Sequence, residues 1–160
     1  MQLRPIEERD WPAIMAIQEQ CYHAIEPEPL HVMQSKWQVA PQTCLVVCLD
    51  SCVMGYCLAH PWLQGHPPAL NQVLTEAMPQ PDTLYLHDMA LSQAIRGQGG
   101  AQQMLNQLKL LAQAQQLNSM SLIAIQGAAS YWQAAGFIKT TTSKCLGSYC
   151  DDPHYMVMPL

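Results

Sequence analysis

Apolar residues recur along this chain with two periods, about two residues in some stretches and three to four in others, and each switch marks an element boundary. Gln2–Ile6 reads as a short opening strand. Asp10 can cap a helix whose first turn tolerates Pro12 and whose Ile14, Ile17 and Cys21 share a face. Tyr22–Pro29 reads as a loop, and Leu30–Val39 as a second helix ended by Pro41. Cys44–Leu49 and Val53–His60 are apolar runs with β-branched residues, and Asp50-Ser51-Cys52 between them marks a hairpin. From Pro61 to Pro81 periodicity fades and prolines accumulate, which predicts a surface loop with a helical turn near Leu70–Ala77.

Thr83–Leu91 resumes as a strand, followed by a Gly-rich turn and a helix over Gly100–Gln116. Ala101, Met104, Leu105, Leu108, Leu111 and Ala112 of that helix fall on one face. Met120–Gln126 reads as a strand, Ala128–Ala135 as a short helix stopped by Gly136, and Phe137–Ser143 and Pro153–Met158 as the last strands. The order is β-α-α-β-β-β-α-β-α-β-β. It predicts an α/β (α+β) fold, a mixed, mostly antiparallel central sheet of about seven strands flanked by about four helices. At 160 residues the whole chain, 1–160, fits a single domain, long enough to bury ~68–70% of its unfolded surface.

Composition narrows the function classes. Seven Lys+Arg against twelve Asp+Glu give a net charge of −5, which offers no broad basic surface for nucleic acid and better suits a cationic small molecule. Seven cysteines are an odd number and none are spaced as CxxC. They read as free thiols in a reducing compartment, which makes the cytoplasm the expected location and a metal site unexpected. No apolar run approaches the ~18 residues of a membrane span, and Met1-Gln2-Leu3-Arg4-Pro5 lacks the regions of a signal peptide.

The candidate chemistry begins at Arg96-Gly97-Gln98-Gly99-Gly100-Ala101, placed between a predicted strand and a predicted helix. Backbone N–H groups there can converge on an anion at the helix N-terminus, and the small residues let it approach. No GK[ST] follows the glycines, and Gln102 stands where GxGxxG needs its third glycine, so the two common nucleotide loops are excluded. A diphosphate held mainly by amides fits what remains.

With these residues the chain resembles the GNAT superfamily, the Gcn5-related N-acetyltransferases. Arg96, Gly99 and Ala101 fill the acetyl-CoA signature [RQ]-x-x-G-x-[GA], and Trp132-Gln-Ala-Ala-Gly136-Phe137 is similar to the later YxxxGF element. The resemblance implies acetyl-CoA as cosubstrate, lying in a V-shaped opening between Thr83–Leu91 and Met120–Gln126. It implies that backbone groups of Met89, Ala90 and Leu91 bind the pantetheine arm and the acetyl carbonyl. Amides of Gly97, Gln98, Gly99, Gly100 and Ala101 would hold the pyrophosphate, with Arg96 adding charge. Tyr22–Pro29, carrying His23, Glu26 and Glu28, would cover the acceptor pocket, and its acids are expected to be solvated.

Acetyl transfer needs a base to take a proton from the acceptor ammonium, and a histidine does this near neutral pH. Two-residue periodicity puts Tyr85, His87 and Met89 on one face and Asp88 on the other, unless a bulge intervenes. Tyr85-Leu-His87-Asp-Met-Ala-Leu resembles the paired-histidine strand of the arylalkylamine acetyltransferases, with His87 as the second histidine and Tyr85 in place of the first. The family's acidic tyrosine falls on Trp132 here. Tyr131 precedes it, turned away by about 100° on a helix, and is the alternative acid. A covalent route through Cys57 or Cys145 has no base spaced to support it.

Three functions follow from the resemblance. The first is acetylation of a primary amine on a small molecule, with His87 as general base. The second is acetylation of a peptide N-terminus or protein lysine, and the third a non-catalytic CoA-binding regulatory module. A homodimer is compatible with all three.

Overall fold

The computed structural model of the chain describes residues 1–22, 26–142, 146 and 152–160. Its strands are β1 (Gln2–Pro5), β2 (Cys44–Leu49), β3 (Cys52–Trp62), β4 (Thr83–Leu91), β5 (Ser119–Ala124), β6 (Ile138–Lys139) and β7 (His154–Pro159). Its α-helices are α1 (Trp11–Cys21), α2 (Leu30–Val39), α3 (Gly100–Ala114) and α4 (Ala129–Ala134). The sheet runs β1-β2-β3-β4-β5-β7-β6, antiparallel throughout except for the parallel pair β4 and β5. The expected fold class, strand order and helix order are therefore observed.

Both faces of the sheet are covered. Trp11, Ile14 and Ile17 of α1 and Met33 of α2 pack on Val46, Tyr56, Leu58 and Ala90. On the other face Met104, Leu105, Leu108 and Ala112 of α3 pack on Val47, Cys57, Leu86 and Leu122. The stripe of α3 thus turns Met104, Leu105, Leu108 and Ala112 inward while Leu110 stays exposed; burying such a stripe supplies most of a helix's stability in a folded protein.

Several local expectations need correction. Asp10 occupies the N-cap position of α1, but its side chain makes no capping hydrogen bond to that helix. Its carboxylate takes two hydrogen bonds from Arg4, at 2.7 and 2.8 Å, and one from the Glu7 amide at 2.7 Å. The hairpin turns on Asp50 and Ser51, both with positive φ, and β3 then runs through Pro61 to Trp62. Pro61 is tolerated because β2 begins opposite Leu58, so Pro61 has no paired strand on the β2 side. No helix forms over Leu70–Ala77, and the strand expected from Phe137 is only Ile138–Lys139 within the described residues.

Candidate active site

β4 and β5 pair only at Thr83–Ser119, Leu84–Met120 and Tyr85–Ser121, and beyond these rungs they separate. The separation opens a cleft of about 740 Å³ whose walls include Leu86–Leu91, Gly97, Gly99–Gln102, Leu122 and Trp132. Such a volume lies within the range of about 300–1,000 Å³ usual for small-molecule and cofactor sites.

The Gly-rich loop forms one end of this cleft. Gly97 and Gly99 have φ of +79° and +86°, and no atom lies within 4 Å of where a Cβ would stand on either. The chain thereby presents bare backbone to the cleft at the start of the 15-residue helix α3. The amides of its first turn have no partner within the helix, and its dipole favours an anion there. Gly100 packs close behind, its would-be Cβ 3.3 Å from Leu91 Cδ2. Bare backbone at a helix N-terminus is an arrangement that receives anionic groups. Gln98 does not line this strip: its amide donates to Ile95 O at 3.3 Å and its side chain to Ala94 O at 3.3 Å. The Arg96 guanidinium lies at the mouth, 3.6 Å from Cys21 Sγ.

The titratable side chains of the cleft gather where β4 bulges. Leu58 of β3 faces Asp88 while Ala59 faces Leu86, so His87 is the extra residue. A bulge re-aims the side chains beside it. Asp88 consequently lies on the α1 and α2 face with Tyr56 and Leu58, and not opposite Tyr85; Met89 turns toward α3. Tyr85 is buried behind the site, its ring 5.6 Å from that of His60 and 6.3 Å from that of His87.

His87 Nε2 forms a very short hydrogen bond to Glu28 Oε1. Glu28, expected to be solvated, is buried at 8% exposure. Burial opposes its ionisation, but the His87 hydrogen bond, the charges of His87 and Lys36, and the Asn71 amide at 2.9 Å outweigh that and hold its carboxyl at about 2. Lys36 is fully buried, with Nζ 4.0 Å from Glu28 Oε2 and 2.6 Å from Gln72 O; burial lowers its pKa. Burial pushes the Asp88 carboxyl up, against the hydrogen bonds it accepts from Tyr22 and Tyr56, the latter 2.7 Å long. The Tyr22 hydroxyl, whose one proton goes to Asp88, also lies 3.2 Å from Met89 O, and burial raises its pKa well above 10.

A second pocket of about 50 Å³ opens on the α1 side, bounded by Gln18, Tyr22, Glu28, Leu70 and Ile125. His87 and Asp88 line both this pocket and the large cleft. Tyr131 also lines the large cleft, half-exposed, its ring stacked edge-on against Trp132 at 5.0 Å. Trp132 is fixed in turn by Phe137 at 5.5 Å, filling the tyrosine's expected place.

No role for Tyr22 or Lys36 was read from sequence, and Glu28 only as a solvated acid of the loop over the acceptor pocket. The one signal available for Glu28 was a proline on each side, which biases the segment toward an extended path. No group of three or more metal-ligating side chains occurs among the described residues. Cys21, Cys44, Cys48, Cys52 and Cys57 are free thiols there, while Cys145 and the Ser143 end of the expected strand lie outside the described residues.

Residues 11–137 match the Acetyltransferase (GNAT) family. The chain belongs to the GNAT acetyltransferases. It is thus an N-acetyltransferase that draws its acyl group from acetyl-CoA. Ard1 from Thermoplasma volcanium is similar in structure, with a TM-score of 0.78, 13% identity, and 99% of this chain and 97% of that one covered. The NatC complex bound to Gag peptide and CoA gives 0.73 at 16% identity, covering 99% and 98%. The ribosomal-protein-alanine N-acetyltransferase from Brucella melitensis gives 0.70 at 19% identity, covering 100% of both chains. At these identities the likeness is one of fold. No curated protein matches the chain in sequence.

Proposed function

We propose that this GNAT enzyme acetylates a primary amine of a small molecule, with His87 as general base. One observation carries the reading: His87 stands where the large cleft meets the small pocket, its imidazole tied to a buried carboxylate. Bound acetyl-CoA supplies the activated thioester. The bare backbone of Gly97 and Gly99, with the first amides of α3, would receive its pyrophosphate, and Met89, Ala90 and Leu91 its arm. With β5 splayed away, the backbone edge of β4 there is open on the cleft side.

Glu28 remains ionised at working pH and therefore accepts a hydrogen bond from His87 Nε2–H. In the neutral ring this leaves Nδ1 as the lone pair that takes a proton from an incoming ammonium. Asp88 and Glu28 beside it favour a cationic acceptor. Tyr131 is the hydroxyl on the cleft wall assigned to protonate the departing thiolate, since Trp132 has no acidic proton for that task.

The small-molecule reading rests on the segment between β3 and β4. Its Asn71 amide binds Glu28, its Gln72 carbonyl binds Lys36, and its Leu74 amide binds Ser35 Oγ at 3.0 Å. These bonds fasten it across the acceptor end and leave the pocket only about 50 Å³. A peptide N-terminus is the second reading, favoured by the likeness to the NatC complex with its Gag peptide and to the ribosomal-protein-alanine enzyme. Thiol release from acetyl-CoA across a panel of alkylamines, arylalkylamines and short peptides separates the two. Turnover confined to peptides would overturn the small-molecule reading.

A further inference from the structure

Gln18, on the inward face of α1, is 3% exposed and borders the small pocket. Its Nε2 donates to Glu28 O at 3.3 Å. That contact fixes the amide's orientation, because the flipped form would set two acceptors against each other. Oε1 is then left with no hydrogen-bond partner among the described residues. A buried acceptor without a donor costs roughly 1–3 kcal/mol, so a donor is expected to arrive from outside the chain. Around the same pocket stand the Glu28 and Asp88 carboxyls and the His87 ring, while Pro27, Leu70 and Ile125 give it apolar sides.

From this arrangement we infer that Gln18 Oε1 accepts a hydrogen bond from the acceptor's own N–H, making Gln18 a specificity-determining residue for an unbranched primary alkylamine. The inference deepens the small-molecule reading and rests on it. A neutral amide acceptor beside two carboxyls is suited to an ammonium, whose three donors need three acceptors. At about 50 Å³ the pocket is small beside the cleft's 740 Å³, and Leu70 and Pro27 are among its walls. A –CH₂–NH₃⁺ group enters it, whereas a carbon branched next to the nitrogen meets Leu70 and Pro27.

The test uses propylamine and isopropylamine, isomers that differ in that branch, with thiol release as readout and acetyl-CoA affinity by calorimetry. Two variants separate recognition from scaffolding, because Gln18→Met and Gln18→Glu both lose the donor to Glu28 O but only Gln18→Met loses the acceptor. Expected are a wild-type preference for propylamine of at least about tenfold in kcat/KM, and a KM raised about tenfold in Gln18→Met. Such a factor corresponds to one lost hydrogen bond of about 1.4 kcal/mol. Gln18→Glu is expected to keep KM within about threefold, and acetyl-CoA affinity to stay unchanged throughout. Equal KM increases in both variants, or no change in Gln18→Met, overturn the inference, as does equal use of the two amines. If the wild type turns over neither amine but does acetylate peptides, the small-molecule reading falls with it.

Discussion

At the scale of single residues, the site is built on a Glu28 carboxylate that burial alone would neutralise and on the imidazole bonded to it. The folded pKa of Glu28, about 2, lies below its ordinary 4.5. Its contribution to stability is therefore complete above pH 4.5 and is lost as the pH falls from there through about 2. Glu28→Gln should remove that component, so the stability gap between wild type and variant narrows over this window in urea melts at stepped pH. A gap that stays constant across the window contradicts the assignment. Tyr131→Phe should lower kcat about tenfold with little change in KM, as expected of an acid used only in the transition state. Unchanged kcat would remove Tyr131 from the chemistry.

At the scale of elements, the Gly-rich strip works because two glycines take backbone angles that other residues avoid. Gly99→Ala forces a side chain to φ +86°, at a cost of about 1–3 kcal/mol. It also sets a methyl on the strip. Acetyl-CoA affinity measured by calorimetry should fall at least about tenfold, which corresponds to 1.4 kcal/mol, with the far-ultraviolet circular dichroism intact. Full affinity would show that the strip is not the pyrophosphate site. This element was legible in the sequence because its signals are local: the strand, the glycines and the stripe of α3 follow one another directly along the chain. The bulge at His87 was not, since it depends on the register against β3 and reverses the face of Asp88. Glu28 was hidden for a related reason, its contact to His87 crossing 59 positions of chain. Periodicity carries no information about such pairings.

At the scale of the whole molecule, α1 and α2 on one face and α3 on the other hold a sheet that is continuous except where β4 and β5 part. The parting opens the large cleft, and the fastened segment between β3 and β4 borders the small pocket; the proposed function takes these as the donor and acceptor sites. Tyr22, His87, Asp88 and Ile125 line both spaces, and of these His87 carries the imidazole. The most direct measurement is kcat/KM for the preferred amine as a function of pH in wild type and His87→Ala, at saturating acetyl-CoA, with acetyl-CoA affinity measured alongside. Loss of a positioned general base predicts a fall of about 10²–10⁴-fold near neutral pH, partly recovered as the pH rises and the free amine becomes abundant, with acetyl-CoA affinity unchanged. Wild-type activity in His87→Ala across the whole pH range would contradict the account.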